Sequence, residues 1–175
     1  MKLPVAYYGN PFLRKKCKRV EAIDATLLQL IADMEETLVA HDGCGLAAPQ
    51  VFQDLALFLI KDVYQNAAKE WVYEPTMVYI NPKILSYSDE TWTRSEACLS
   101  LPKIHGQVTR PFSIKIEATD IHGNRFVQEL TELRARIFLH ENDHINGVLY
   151  IDRIKGPERE ALEPYLRKIK QTYNP

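Results

Sequence analysis

Several absences narrow what this chain of 175 residues can be. No apolar run approaches the roughly 18 residues of a membrane-spanning helix, so no membrane span is expected. Neither sign of charge is in excess. A formal net charge of -1 supplies no general field for gripping nucleic acid. Cysteine is scarce and odd in number, three residues without dense spacing, so no disulfide framework is expected and the thiols are read as reduced. The N-terminal stretch holds Lys2, Arg14, Lys15 and Lys16 but no apolar core segment, so it does not read as a signal peptide. A cytoplasmic location is the expectation. There is also no internal repeat, low-complexity tract or linker. What remains is an ordinary globular composition, 46% hydrophobic and 26% charged, with length enough for one domain and a sizeable core.

The chemistry concentrates in the stretch from Leu133 to Asn146, where His140-Glu141-Asn142-Asp143-His144 forms an HExxH pattern. On a helix, residues four apart project from one face, so His140 and His144 can grip one metal ion while Glu141 leans over the same pocket. Neutral imidazole suits a borderline divalent metal, and the adjacent carboxylate can take a proton from water acidified by the ion. A hydrolase is implied. Leu133, Ile137, His140 and His144 recur at helical spacing, which places both histidines on an inward stripe. A catalytic site usually has three protein ligands, and two sources compete for the third. Downstream, Glu160 or Glu163 would give a His/His/Glu site and a metalloendopeptidase, although Gly156-Pro157 and Pro164 disturb the helix that would present them. Upstream, Cys98 would give His/His/Cys.

Taken in order, Met1 to Val20 reads as an irregular arm with a turn at Tyr7-Tyr8-Gly9-Asn10-Pro11, and Cys17 as an incidental thiol. A core-packing helix follows, with Asp24 as N-cap, Leu27, Leu30, Ile31, Met34 and Leu38 on its inner face, and Gly43 as its end. The segment Gly43-Cys44-Gly45-Leu46-Ala47-Ala48-Pro49-Gln50 leaves backbone exposed at close range and ends on one strong hydrogen-bonding side chain. Leu55 to Ile60 has strand length, and Lys61 to Thr76 reads as a surface loop. Val78 to Ile80 and Ile84 to Tyr87 read as short strands separated by an Asn81-Pro82 turn. Cys98 sits at a strand end, as a ligand or as a buried structural thiol. Ser113 to Thr119 and Phe126 to Leu130 form an antiparallel hairpin with His122 in its turn, leading into the motif helix. Gly147 closes that helix and Val148 to Ile151 makes one more strand. A last amphipathic helix presents Leu162, Tyr165, Leu166, Ile169 and Tyr173 and should break near Pro164. The fold class is α+β: one compact domain over 1–175, short and mostly antiparallel strands around a central HExxH helix, with an N-terminal and a C-terminal helix.

Three separated stretches resemble the peptide deformylase family, type 1-like. Gly43 to Gln50 matches its Gly-apolar-Gly-apolar-Ala-Ala-Pro-Gln loop, Glu96 to Ser100 its Glu-Gly-Cys-Leu-Ser stretch, and His140 to His144 its His-Glu-apolar-Asp-His motif, in the family's order. Three positions depart. Ala97 replaces the usual glycine, Asn142 the apolar residue, and Phe52 a glycine that often follows the loop. Ala97 adds a methyl beside the ligand cysteine, so it bears on the fine geometry of the site. It also motivates a reading as a catalytically impaired, metal-containing peptide binder.

The resemblance implies a ligand set of Cys98, His140 and His144 for one divalent ion, Fe2+ natively, with Zn2+, Ni2+ or Co2+ as replacements. It implies removal of the N-formyl group from formylmethionyl nascent peptides, with release of formate. Glu141 would be general base and then acid, and the Gln50 amide and the Leu99 backbone N–H would stabilise the oxyanion. Gly43, Cys44 and Gly45 would pair with an extended peptide, while Cys44, Leu133, Arg136 and Ile137, with His140, would wall the methionine side chain. Glu96 and Arg110 would form an ion pair bracing the ligand strand. Arg167, Lys168 and Lys170 would reach ribosomal RNA; otherwise they are a solvated face. A monomer is expected.

Overall fold

The computed structural model describes residues 1–174, without the side chains of residues 63, 64, 65 and 73. An N-terminal arm leads through a short 3-10 turn at Pro11–Arg14, where the Asn10 side chain accepts from the Phe12 N–H, to helix α1, Ala25–Ala40. Asp24 caps α1 as its sequence requires, its carboxylate accepting from Leu27 N–H at 2.9 Å. The end of α1 differs from the reading at Gly43. Asp42 takes the left-handed position at φ 50°, and the Asp42 and Gly43 N–H groups return to the Val39 and Leu38 carbonyls. This is a Schellman closure with aspartate, one of the few side chains that tolerate that conformation, in the usual glycine place.

The strands that follow are β1, Gly45–Ala47; β2, Leu57–Ile60; β3, Val63–Gln65; β4, Trp71–Tyr73; β5, Met77–Tyr87; β6, Thr91–Cys98; β7, Leu101–Pro111; β8, Ser113–Thr119; and β9, Arg125–Thr131. Helices α2, Glu132–Ile145, and α3, Gly156–Tyr173, complete the chain. Five strands form one antiparallel sheet in the order β1-β2-β5-β8-β9, so β1 is an edge. Strands β6 and β7 form a separate two-stranded ribbon, as do β3 and β4.

Four local expectations are corrected. The stretch from Lys61 to Thr76 holds the β3–β4 hairpin rather than a plain loop. Asn81-Pro82 does not separate two strands. Asn81 adopts φ 50° and shifts the register within one continuous β5, while its side chain bonds both the N–H and the carbonyl of Val20. Val148 to Ile151 makes no strand; a 3-10 turn, Tyr150–Arg153, takes its place, with Asp152 accepting from the Leu149 N–H. Pro164 does not break α3, because it is exposed, water can serve the carbonyl it leaves free, and burial of Leu166 and Ile169 holds the helix on both sides.

Three apolar clusters build the core, and one of them fixes α2. Ala135, Phe138, Leu139 and Ile145 pack on the sheet face made by Phe58, Tyr79, Ile114 and Ile116, and the Phe138 ring meets Phe58 and Tyr79 edge-on at 5.0 and 5.1 Å. Helix α1 covers the opposite sheet face through Ile31, Met34 and Leu38 against Leu46, Leu57, Leu59 and Ile80. Leu166 and Ile169 of α3 pack with Leu101, Ile104 and Val108 of β7. Helix α2 is thereby held between sheet and ribbon. Gly147, at φ 72°, closes it with N–H groups of residues 147 and 148 returning to His144 and Asp143.

Candidate metal centre

The face of α2 turned from the sheet is polar and still buried. Arg136, His140, Asp143 and His144 are all at most 9% exposed, and they abut the β6–β7 ribbon. Charges sequestered so call for partners, and the ribbon supplies them. Arg110 of β7 grips the Glu96 carboxylate with two bonds, Nε to Oε2 at 2.7 Å and Nη2 to Oε1 at 2.9 Å, and gives Nη1 to Asp143 at 2.9 Å. Arg136 Nη1 adds a 2.7 Å bond to Glu96, and Arg153 clasps Asp143 with two bonds of 2.7 Å. Burial raises the Glu96 pKa, but the bonds from Arg110 and His140 more than reverse this, so the carboxyl lies far below its ordinary 4.5. Glu96 and Arg110 are therefore a buried pair and not surface charges.

This network aims the ligands. His140 Nδ1 lies 2.8 Å from Glu96 Oε1, which leaves Nε2 for a metal, and the ring stacks on Tyr150. Strand β6 ends in a two-residue turn, Leu99-Ser100, that carries Cys98 Sγ to 3.3 Å from His144 Nε2. One donor atom from each of Cys98, His140 and His144 lies within 4.8 Å of the others. Gln50 is 1% exposed and fully engaged: its Oε1 accepts from Ala47 N–H at 2.9 Å, while Nε2 donates to Ser100 Oγ at 3.1 Å and approaches Cys98 Sγ at 3.5 Å. Burial, with the nearby His140 charge, pushes the His144 pKa well below 6.5, so this ring is neutral and ready to ligate.

Glu141 is buried without a partner for its Oε2, and burial lifts its pKa to about 7. Its carboxylate occupies the space above Gly45, where an added Cβ would collide with Glu141 Oε1. The glycine at this position is thus explained. Gly45 faces an open sheet edge too. The bond from Lys61 N–H to the Cys44 carbonyl sets the β1–β2 ladder at residues 44 and 46, so the N–H and C=O of Gly45 point outward.

A cavity of about 570 Å3 joins these parts. Gly43, Cys44, Gly45, Gln50, Cys98, Leu99, Leu133, Arg136, Ile137, His140 and Glu141 all line it. His144 is held beneath, by Cys98. Leu133 is corrected from inward stripe to cavity wall, since it is 49% exposed. Glu160 and Glu163 do not come to the site; both are exposed, and Glu163 pairs with Arg159. Ala97 lies at an irregularity in the β6–β7 register, exposed and at a φ outside the left-handed region, so its methyl introduces no backbone strain. The impaired-binder reading loses its motive. Cys17 packs beside the sheet cluster, its thiol pushed up to about 11 by burial, and His122 sits in an exposed turn. The sequence reading gave no role to Asp143, Arg153, Ser100 or Tyr150. For Asp143 a signal existed, since Arg136, His140 and Asp143 share one helical stripe.

Known proteins carry the same arrangement of sequence. The family model described as polypeptide deformylase matches residues 2–160. Peptide deformylase 2 of Nostoc sp. is 46% identical over 159 residues, covering 88% of this chain and 87% of that protein. The chloroplastic peptide deformylase 1B of Solanum lycopersicum is 38% identical over 98% of this chain, yet the chain spans only 60% of its length, and 61% of the Arabidopsis thaliana counterpart. Among solved structures, a plant peptide deformylase superposes with a TM-score of 0.88 at 38% identity, over 98% of this chain and 90% of that one. A class I type b peptide deformylase from Acinetobacter baumannii, solved with Met-Ala-Ser bound, gives 0.81 at 32% identity over 88% of this chain and 99% of that one. Sequence, topology and the convergence of ribbon, loop and helix agree: the chain belongs to the polypeptide deformylase family.

Proposed function

We propose that the chain is a metal-dependent hydrolase that removes the formyl group from N-terminal formylmethionine of newly made peptides, releasing formate. The observation that carries this reading is Cys98 Sγ standing 3.3 Å from His144 Nε2, with Glu141 free and buried alongside. Three donors of suitable type within 4.8 Å, one histidine already oriented through its other nitrogen, fit a single divalent ion. Cys98, His140 and His144 would hold it. Bound there, such an ion supplies Lewis acidity, lowering the pKa of water and polarising a carbonyl.

The chain's own residues do the rest. Glu141, with a pKa near 7, takes a proton from the attacking water and returns one to the departing amine. The Gln50 Nε2, exchanging its long 3.5 Å contact with Cys98 Sγ while keeping its bond to Ser100, and the Leu99 N–H donate to the oxygen on which charge develops. An extended peptide pairs with the open edge of β1 at Gly43 to Gly45, tolerating varied sequence beyond its first residue. Cys44, Leu133, Ile137, the Arg136 stem and His140 enclose the methionine side chain; the Arg136 guanidinium is already committed to Glu96 and to the Val108 and Trp92 carbonyls. The Met-Ala-Ser bound to the Acinetobacter baumannii relative supports this substrate class.

A thiolate with two imidazoles suits ferrous iron, the native metal in this reading, and accepts zinc, nickel or cobalt. Arg167, Lys168 and Lys170 lie exposed along α3 and would meet ribosomal RNA. The three free thiols accord with a cytoplasmic location, and the protein acts as a monomer in this reading. The test is incubation of anaerobically prepared, nickel-loaded protein with formyl-Met-Ala-Ser. Formate and intact Met-Ala-Ser are expected, with loss of about 10²- to 10⁴-fold in Glu141→Ala. Cleavage of an internal peptide bond would instead support an endopeptidase.

A further inference from the structure

The cavity is larger than the metal cluster and the methionine wall. Another part of its lining is aromatic: Tyr7 of the N-terminal arm and Tyr173 in the last turn of α3 stack with ring centroids 3.9 Å apart and planes at 18°. Leu99, Leu101 and Pro102 line the same cavity, and Tyr7 packs on the core cluster that contains Leu101. The stack is anchored from both sides. Tyr8 N–H donates to the Ser100 carbonyl at 2.8 Å, tying the arm to the ligand turn. Asn174 Nδ2 donates to the Tyr8 carbonyl at 2.9 Å, tying the end of α3 to the arm. Tyr173 nonetheless keeps 44% of its surface exposed. An aromatic face is thus held rigidly at the cavity rim and left uncovered.

We infer that Tyr7 and Tyr173 form a subsite that selects an aromatic side chain downstream of the formylmethionine, at the second or third residue of the substrate. This rests on the deformylase reading. An extended chain advances about 3.3 Å per residue, so a peptide anchored on β1 with its first side chain between Leu133 and Ile137 carries its next residues across a cavity of about 570 Å3. A pre-ordered ring stack loses little entropy on accepting a third ring, and ring pairs add to plain burial. Tyr7 lies within the 2–160 span matched by the family model and Tyr173 beyond it, so the subsite joins the N-terminal arm to the C-terminal helix.

The experiment compares kcat/KM for formyl-Met-Ala-Ser, formyl-Met-Phe-Ser and formyl-Met-Ala-Phe with nickel-loaded wild type, Tyr173→Ala, Tyr173→Phe and Tyr7→Ala. Wild type is expected to favour phenylalanine at one of the two positions by roughly three- to tenfold, mainly through KM. Tyr173→Ala should reduce that preference to under twofold, and Tyr173→Phe should keep it. Calorimetric titration of the deformylated products should reproduce the same ranking without turnover. Equal rates for all three substrates in wild type, or a preference undiminished in both alanine variants, would overturn the inference. Formate release from formyl-Met-Ala separates the two readings: its absence removes the deformylase reading as well, while its presence without a phenylalanine preference removes the subsite alone.

Discussion

Gly45 and Phe52 lie seven residues apart on one loop and illustrate opposite constraints. The Cβ position of Gly45 is taken by the Glu141 carboxylate, so Gly45→Ala must push aside the group that moves the proton. It is expected to lower kcat at least 100-fold while equimolar metal is retained, a result that rate and metal analysis on one preparation would give. Phe52 is strained instead. It holds φ 61° and ψ 29°, a left-handed conformation that costs a non-glycine residue about 1–2 kcal/mol, and its ring makes an edge contact with Phe12. Phe52→Gly should therefore raise the melting temperature by roughly 2–4 °C, and a lower one in calorimetry would show that the Phe12 contact dominates. The motif letters made the ligands and Gln50 legible in the sequence. The reason Gly45 must be glycine was not, because it depends on a helix nearly a hundred residues later.

Helix α2 and the β6–β7 ribbon act as one unit through Glu96, Arg110, Arg136 and Asp143. Removing one member leaves buried charge uncompensated, so Arg110→Met should destabilise the protein by about 3–5 kcal/mol in denaturant unfolding. The same unit governs acid stability. Glu96 has a folded pKa depressed below 4.5, so its contribution is fully present above that value and is lost as pH falls through the lower folded value. Wild type should lose stability between about pH 5 and pH 2 more steeply than Glu96→Gln, measured as unfolding midpoint against pH. From sequence, α2 is recognisable by its spacing, yet its inward stripe is easily drawn through Leu133 and Ile137. Periodicity finds apolar faces, whereas half of this helix is buried through paired charges that only the ribbon supplies.

Across the whole molecule, the architecture follows from alternation and helical spacing, and the misreadings share a cause. Asn81-Pro82, Val148 to Ile151 and Pro164 all carry local signals that tertiary contacts override: the Val20 bonds to Asn81, the Asp152 cap, and burial of Leu166 and Ile169. Assembly of the site likewise needs all three layers, since the loop, the ribbon and α2 each supply one part. Metal should consequently stabilise the entire fold. With free ion at 1,000 times Kd the gain is about 4 kcal/mol, and chelation should lower the melting temperature accordingly.

The most direct test of the account is the metal content and near-ultraviolet spectrum of cobalt-loaded protein, compared with Cys98→Ala. One ion per chain and a thiolate-to-cobalt charge-transfer band are expected in wild type, with the band gone and affinity sharply reduced in the variant. An unchanged ion content and an unchanged spectrum in Cys98→Ala would contradict the Cys98/His140/His144 centre and with it the proposed chemistry.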